Sequence, residues 1–220
     1  MTKKTKITEE YLIDRYMDVV EQSQGKPADV SDFAKENGFE PETFYAFFES
    51  FEHLDKAIFK IFIDVSIATL AESTDFATFS KKDKLLSLYY TLFENLNLNR
   101  EFAVLIIKSY GISLNTLSLF NDLKESFVAF IDSLELETLK LNDTLESIQK
   151  KSIQEGAWVQ LLLTIKFWMS DDSEQSQKTD IFIEKSINTS MELLNTQSLT
   201  NILDLGKFLY SEKFKSKDAT

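Results

Sequence analysis

The sequence predicts an all-α protein, and three observations carry that prediction. Helix breakers are rare: 5 glycines and 2 prolines in 220 residues, with both prolines, Pro27 and Pro41, near the start. Apolar residues recur mostly at spacings of three and four, the period of a helix face. They make up 43% of the chain, enough for a sizeable core in one large domain, or in a small domain joined to a larger one.

The elements follow in order. A first helix is expected over about Glu9 to Gln22, capped by Thr8, with Leu12, Ile13, Tyr16, Met17, Val19 and Val20 inward. After the turn "QGKPAD", Asp29 caps a short helix, Val30 to Asn37, with Asp32 at the capping-box position. Gly38 suits the left-handed residue that ends it, and Pro41 suits the first position of the next helix, ending near Phe48. The spacing of Phe44 and Phe48, one turn apart, predicts that both pack with Phe33. A longer helix follows from about Phe51 to Ala71. Further helices are expected over Lys81 to Leu96, Asn99 to Tyr110, Leu114 to Leu134, Thr144 to Met169, Glu174 to Asn195 and Leu199 to Phe208. "SDDSEQS" separates two of the longest, with Asp172 or Ser173 as the cap of the second.

The first 50 residues therefore read as three short helices, the last two joined by a glycine turn, a helix-turn-helix arrangement. Residues 51–220 form a larger helical domain. Composition narrows the function. The 24 basic and 36 acidic residues leave a net charge of −12, which repels nucleic acid and anionic membranes in bulk. DNA contact then rests on local lysines: Lys3, Lys4, Lys6, Lys26, Lys35 and Lys56. There is no cysteine, hence no disulfide or thiolate metal site. No secretory signal and no membrane span is expected, which makes a cytoplasmic protein the default. His53, the only histidine, reads as a surface residue, and no catalytic triad, phosphate-cradling glycine loop or calcium-loop spacing is present. No enzyme activity, metal or cofactor is expected.

"VSDFAKENGFEPETFYAFFESFEHLDKAIF" resembles the DNA-binding head of the TetR family of transcriptional regulators. Phe33, Ala34 and Gly38 correspond to its first helix and turn, Thr43, Tyr45 and Phe48 to its second, and Glu52 and Leu54 to the start of the next. The likeness covers about Ile7 to Phe62. It implies a homodimer that places the short second helix in the DNA major groove and binds an apolar or amphipathic small molecule in the larger domain. Thr43 and Tyr45 are then phosphate or base contacts, with Pro41, Glu42, Phe47, Lys35 and Lys56 beside them. The departures are electrostatic. The helix starts with Glu40 and Pro41, Ala46 and Phe47 follow the tyrosine, and Phe51 stands where the family carries a phosphate-gripping lysine. From Asp29 to Lys60 there are eight acids against three lysines. A second likeness, over Trp168 to Leu194, is to the lipid-binding accessory family of coenzyme Q biosynthesis, which shares the fold without acting as repressors. Asp171 or Asp172, Ser173, Thr179, Phe182 and Glu184 carry it. It implies the alternative of a lipid-binding or protein-interaction module that does not bind DNA.

In the larger domain, aromatic residues recur on helical faces, and a cavity is expected among Tyr89, Phe93, Phe102, Phe127, Trp158 and Leu162. Lys108 and Lys166 lie in apolar stretches and could pair with an acid, snorkel or meet a ligand carboxylate. The dimer interface is expected on the late helix pair, at Phe167, Ile183, Ser186, Ile187, Ser190 and Leu194.

Overall fold

The computed structural model describes residues 7–111, 114–136 and 143–194. Among them are ten α-helices and no strand. The expected helix Leu199 to Phe208 and the amino-terminal lysines 3, 4 and 6 lie outside the described residues. The helices are α1 Glu9–Ser23, α2 Val30–Glu36, α3 Pro41–Tyr45, α4 Phe51–Glu72, α5 Lys81–Leu98, α6 Arg100–Ser109, α7 Leu114–Leu119, α8 Asn121–Ser133, α9 Asp143–Met169 and α10 Gln177–Leu193. Two compact units are formed: residues 1–73 with 91–127, and residues 74–90 with 128–220. Residues 1–50, the expected head, lie within the first.

In the first unit the helix starts are set by side-chain caps, Thr8 and Asp29 as expected and Ser50 in addition. The Thr8 hydroxyl accepts the Tyr11 N–H at 3.2 Å, the Asp29 carboxylate that of Asp32 at 2.8 Å, and the Ser50 hydroxyl that of His53 at 3.2 Å. Each satisfies an amide that the first helical turn leaves without a partner. Gly38 has φ +72°, and beyond α2 the Phe39 N–H reaches back to the Ala34 carbonyl at 3.0 Å. That six-to-one bond needs a left-handed residue between, a conformation in which a Cβ crowds the following carbonyl. Pro41 occupies the first turn of α3, where a missing N–H costs nothing.

Phe33, Phe44 and Phe48 are all buried, with the Phe33 and Phe44 centroids 6.2 Å apart and those of Phe44 and Phe48 5.8 Å apart. Each buried ring contributes roughly 2–3 kcal/mol, so the five-residue α3 is held by packing rather than by its own propensity. Further along, the expected continuous helix from Leu114 to Leu134 is two helices, α7 and α8, parted at Phe120. The Phe120 ring is buried edge-on against Phe59 of α4 at 5.2 Å. Tertiary burial of that ring overrides a local pattern that contains no breaker.

In the second unit, α9 and α10 pack together over Trp158, Leu161, Ile165 and Trp168 of the former and Ile183 and Ile187 of the latter, all buried. Helix α10 begins three residues later than expected. Residues Glu174–Ser176 form a single 3-10 turn, with Gln175 and Ser176 in the left-handed region at φ 51° and 59°.

Candidate functional site

Five of the residues expected to meet DNA come together on α3 and the turn that follows it. Glu42, Tyr45 and Phe47 are exposed, and Pro41 and Thr43 are half-buried. Thr43 also borders a groove of about 360 Å3, shared with Ile7, Tyr11, Asn37, Gly38, Phe39 and Glu40. The Tyr45 ring packs edge-on to Phe44 at 5.7 Å, so the exposed face is anchored to the buried one. Lys35 is exposed on α2 and Lys56 half-buried on α4. His53 lies on the surface as expected, its Nδ1 accepting the Glu49 N–H at 3.2 Å.

Behind this face is a cluster that the sequence did not reveal. Asp55 of α4 is fully buried, at 0% exposure. It accepts hydrogen bonds from the Tyr16 hydroxyl of α1 at 2.8 Å and the Tyr110 hydroxyl at the end of α6 at 2.9 Å. Lys26, from the turn before α2, donates to it at 2.6 Å, and the same ammonium lies 4.1 Å from the centre of the Tyr110 ring. Burial, and then the Asp55 charge, push both tyrosines well above the usual phenol range, so they are permanent donors. Two sequence expectations are corrected here. Lys26 is not a free phosphate-binding cation, because its charge is spent on an internal carboxylate. Asp55 is not part of the surface acidity, for the same reason.

Phe51 completes the picture. At the position where the family likeness implies a lysine, its ring stacks on Tyr16 at 5.1 Å and meets Phe33 and Phe44 edge-on at 5.7 and 5.3 Å. A phosphate grip has become part of the aromatic core. Helix α6 joins the same core through Phe102, edge-on to Tyr16 at 6.0 Å, and at the surface Glu101 accepts from Gln24 at 2.5 Å.

The turn between α9 and α10 is built around Asp171. One carboxylate oxygen accepts the Ser173 N–H and hydroxyl at 2.9 and 2.6 Å; the other accepts the Thr179 N–H and hydroxyl at 2.8 and 2.7 Å. Burial opposes the charge, but these four donors outweigh it and hold the carboxyl far below the usual range. Of the two expected caps, Ser173 serves and Asp172 does not. Asp171 takes the Thr179 amide, the Ser173 hydroxyl takes that of Lys178 at 3.1 Å, and Asp172 is exposed and pairs with Lys178. Of the two aspartates left open in the second likeness, Asp171 forms one bonded unit with Ser173 and Thr179.

Residues 84–209 match the family described as Tetracyclin repressor-like, C-terminal domain, more than half of the chain. The protein belongs to the TetR family. The TetR fold is also that of the fatty acid degradation regulator FadR from Bacillus halodurans, a solved structure similar at a TM-score of 0.51 and 17% identity. That likeness covers 87% of this chain and 96% of the other. No curated protein matches the chain by sequence.

In this TetR-family chain the expected ligand-lining residues divide between the units. Tyr89, Trp158 and Leu162 belong to the second, Phe93, Phe102 and Phe127 to the first, and all but the half-buried Leu162 are buried. Phe102 serves the packing of α6 on α1. Lys108 and Lys166 are both exposed, which removes them from any buried ligand contact. Several of the expected dimer residues have partners within their own chain. Ile183 and Ile187 are fully buried against their own subunit, so their apolar surface is already used. Ser186 and Ser190 are held by Gln160 of α9 at 3.1 and 3.0 Å, and Phe167 stacks on Phe182 at 4.8 Å. Phe167 and Leu194 are half-buried. A second groove of about 360 Å3, unforeseen from sequence, lies between the end of α8 and the start of α9. Ile131, Leu136 and Ile153 line it, and Asp132 crosses it to Lys150 at 3.0 Å and Gln154 at 2.8 Å. Among the described residues no helix is long and apolar enough to cross a membrane, and no His, Cys, Asp and Glu group could hold a metal ion.

Proposed function

We propose that the protein is a homodimeric TetR-type transcriptional regulator, with residues 1–50 as a DNA-binding head and residues 51–220 as a ligand-binding and dimerisation domain. The observation that carries the reading is the head geometry: a glycine-ended α2, a proline-led α3 and an outward face of Glu42, Thr43, Tyr45 and Phe47. The electrostatics make the binding weakly salt-dependent. Lys26 and the Phe51 position add nothing, so Lys35 and Lys56 supply the described cations near this face. The test is fluorescence anisotropy on DNA from upstream of the protein's own gene across a salt series. Wild type is expected to bind at low salt, and Lys35→Ala and Lys56→Ala each to lower the slope of log K against log salt by about 1. No affinity at the lowest salt sinks the DNA-binding reading.

In that case the protein is a TetR-fold lipid-binding or protein-interaction module. The inward Lys26 and the core Phe51 favour this second reading, as does the Asp171, Ser173 and Thr179 unit.

The dimer face in this proposal is the outer side of the α9 and α10 pair. Val159 and Leu163 lie one turn apart on α9 and are 51% and 53% exposed; Leu193 is exposed on α10. Apolar residues repeated along an exposed helix are what a four-helix interface between two copies buries. Leu163→Arg is expected to convert a dimer to a monomer of 25.4 kDa in light scattering, with helical circular dichroism unchanged. A wild type that is itself monomeric at micromolar concentration defeats the proposal.

The ligand proposed is apolar or amphipathic. The aromatic residues of the larger domain support it. A relative of the same fold regulates fatty acid degradation, so a molecule with an acyl-like chain is the first to try. Native mass spectrometry after addition of a long-chain fatty acid checks for the complex.

A further inference from the structure

Helix α3 and the turn after it, residues 41–47, read Pro-Glu-Thr-Phe-Tyr-Ala-Phe. In the major groove, guanine is read by bidentate arginine or lysine and adenine by bidentate asparagine or glutamine. The segment holds none of the four. The nearest amide, Asn37, donates to the Phe33 carbonyl at 2.8 Å, at the end of its own helix. What the face does present is apolar or acceptor chemistry: Tyr45 at 56% exposure, Phe47 at 39%, the exposed Ala46, the methyl of Thr43 and the carboxylate of Glu42. Two base-edge features fit that set. The thymine 5-methyl group accepts apolar contact, and the cytosine amino group can donate to a carboxylate.

We infer that α3 reads its DNA site through thymine methyl groups, with Phe47, Ala46 and Thr43 as the specificity-determining residues and Glu42 directed to a cytosine amino group. The inference rests on the DNA-binding reading above and names what that surface selects. Phe44 and Phe48, buried beneath it, hold the face rigid, so the apolar contacts form without ordering a mobile loop. Among the described residues few cations stand near α3, so the methyl contacts carry a large share of the affinity.

The experiment selects a site from a random duplex pool at low salt, then rebuilds it with deoxyuridine in place of thymidine, which removes only the 5-methyl group. The selected half-site is expected to be thymine-rich with no obligatory guanine on the strand read. Each contacted thymine changed to deoxyuridine should weaken binding about three- to fourfold, the worth of one buried methyl. Phe47→Ala should abolish the deoxyuridine effect at one position and leave it in place at the other contacted thymines. Binding that survives full deoxyuridine replacement, or a site dominated by guanine contacts, overturns the inference and leaves the DNA-binding reading standing. No binding to any duplex in the pool overturns both.

Discussion

Asp55→Ala is expected to destabilise the first unit by about 3–5 kcal/mol, measured as the shift in the urea midpoint at constant m-value. The alanine removes the one acceptor shared by Tyr16, Lys26 and Tyr110, all within 2.9 Å of it. The half-buried Lys26 ammonium, the buried Tyr16 hydroxyl and the half-buried Tyr110 hydroxyl then lose this acceptor. The loss exceeds the worth of the bonds themselves, because groups already removed from water bear their full desolvation cost. Tyr110→Phe provides the scale: it removes one donor and no charge, and is expected to cost about 1 kcal/mol. A loss from Asp55→Ala no larger than that of Tyr110→Phe would mean that the carboxylate is well hydrated and the cluster incidental. Since the cluster ties α1, α4, the turn before α2 and the end of α6 together, the same variant should also weaken whatever the head binds.

Asp171→Ala is expected to cost about 2–3 kcal/mol, from four donors aimed at one carboxylate. Its pH dependence separates charge from shape. The folded carboxyl titrates far below its ordinary value of 3.8, so the charged form is favoured in the folded state. A depressed carboxyl contributes stability that is complete above the unfolded value and is lost as pH falls from there toward the folded one. The gap in unfolding free energy between wild type and Asp171→Asn should be constant from about pH 5 to 8 and should narrow below about pH 4. A gap that stays the same through pH 3 would show that the aspartate acts by shape alone. Gln175 and Ser176, both at positive φ, are the backbone counterpart of this site: four bonds to Asp171 hold a turn that neither residue prefers.

The helix starts were legible because caps are local. Thr8 and Asp29 each act on an amide three residues away, and Gly38 and Pro41 act on their own backbone angles. The packing of Phe33, Phe44 and Phe48 was legible because Phe44 and Phe48 are spaced by four and Phe33 faces them across the glycine turn. The outward residues of α3 were expected only from the family resemblance. Phe120 was not legible as a break, since "LSLFNDLKES" holds no glycine or proline and Asn121 and Asp122 give only a weak start signal; in the fold its ring is buried against Phe59. The sequence leaves the dimer face undecided for a related reason. Ile183 and Ile187 form an apolar stripe by periodicity, but periodicity cannot say whether a stripe meets its own chain or another.

What the sequence by itself determined is the class of the molecule: all-helical, with a glycine-turn head and an acidic surface, close enough to one family to be assigned to it. Those properties follow from local backbone preferences, spacing along a helix and summed charge, each of which needs no knowledge of distant neighbours. What only the tertiary structure decided is which charges are available to act. Lys26 and Asp55 are separated by two helices in the chain, and either alone reads as a surface residue. Burial at 2.6 Å turns them into an internal pair, because a charge removed from water is tolerated only beside its counter-charge and hydrogen-bond partners.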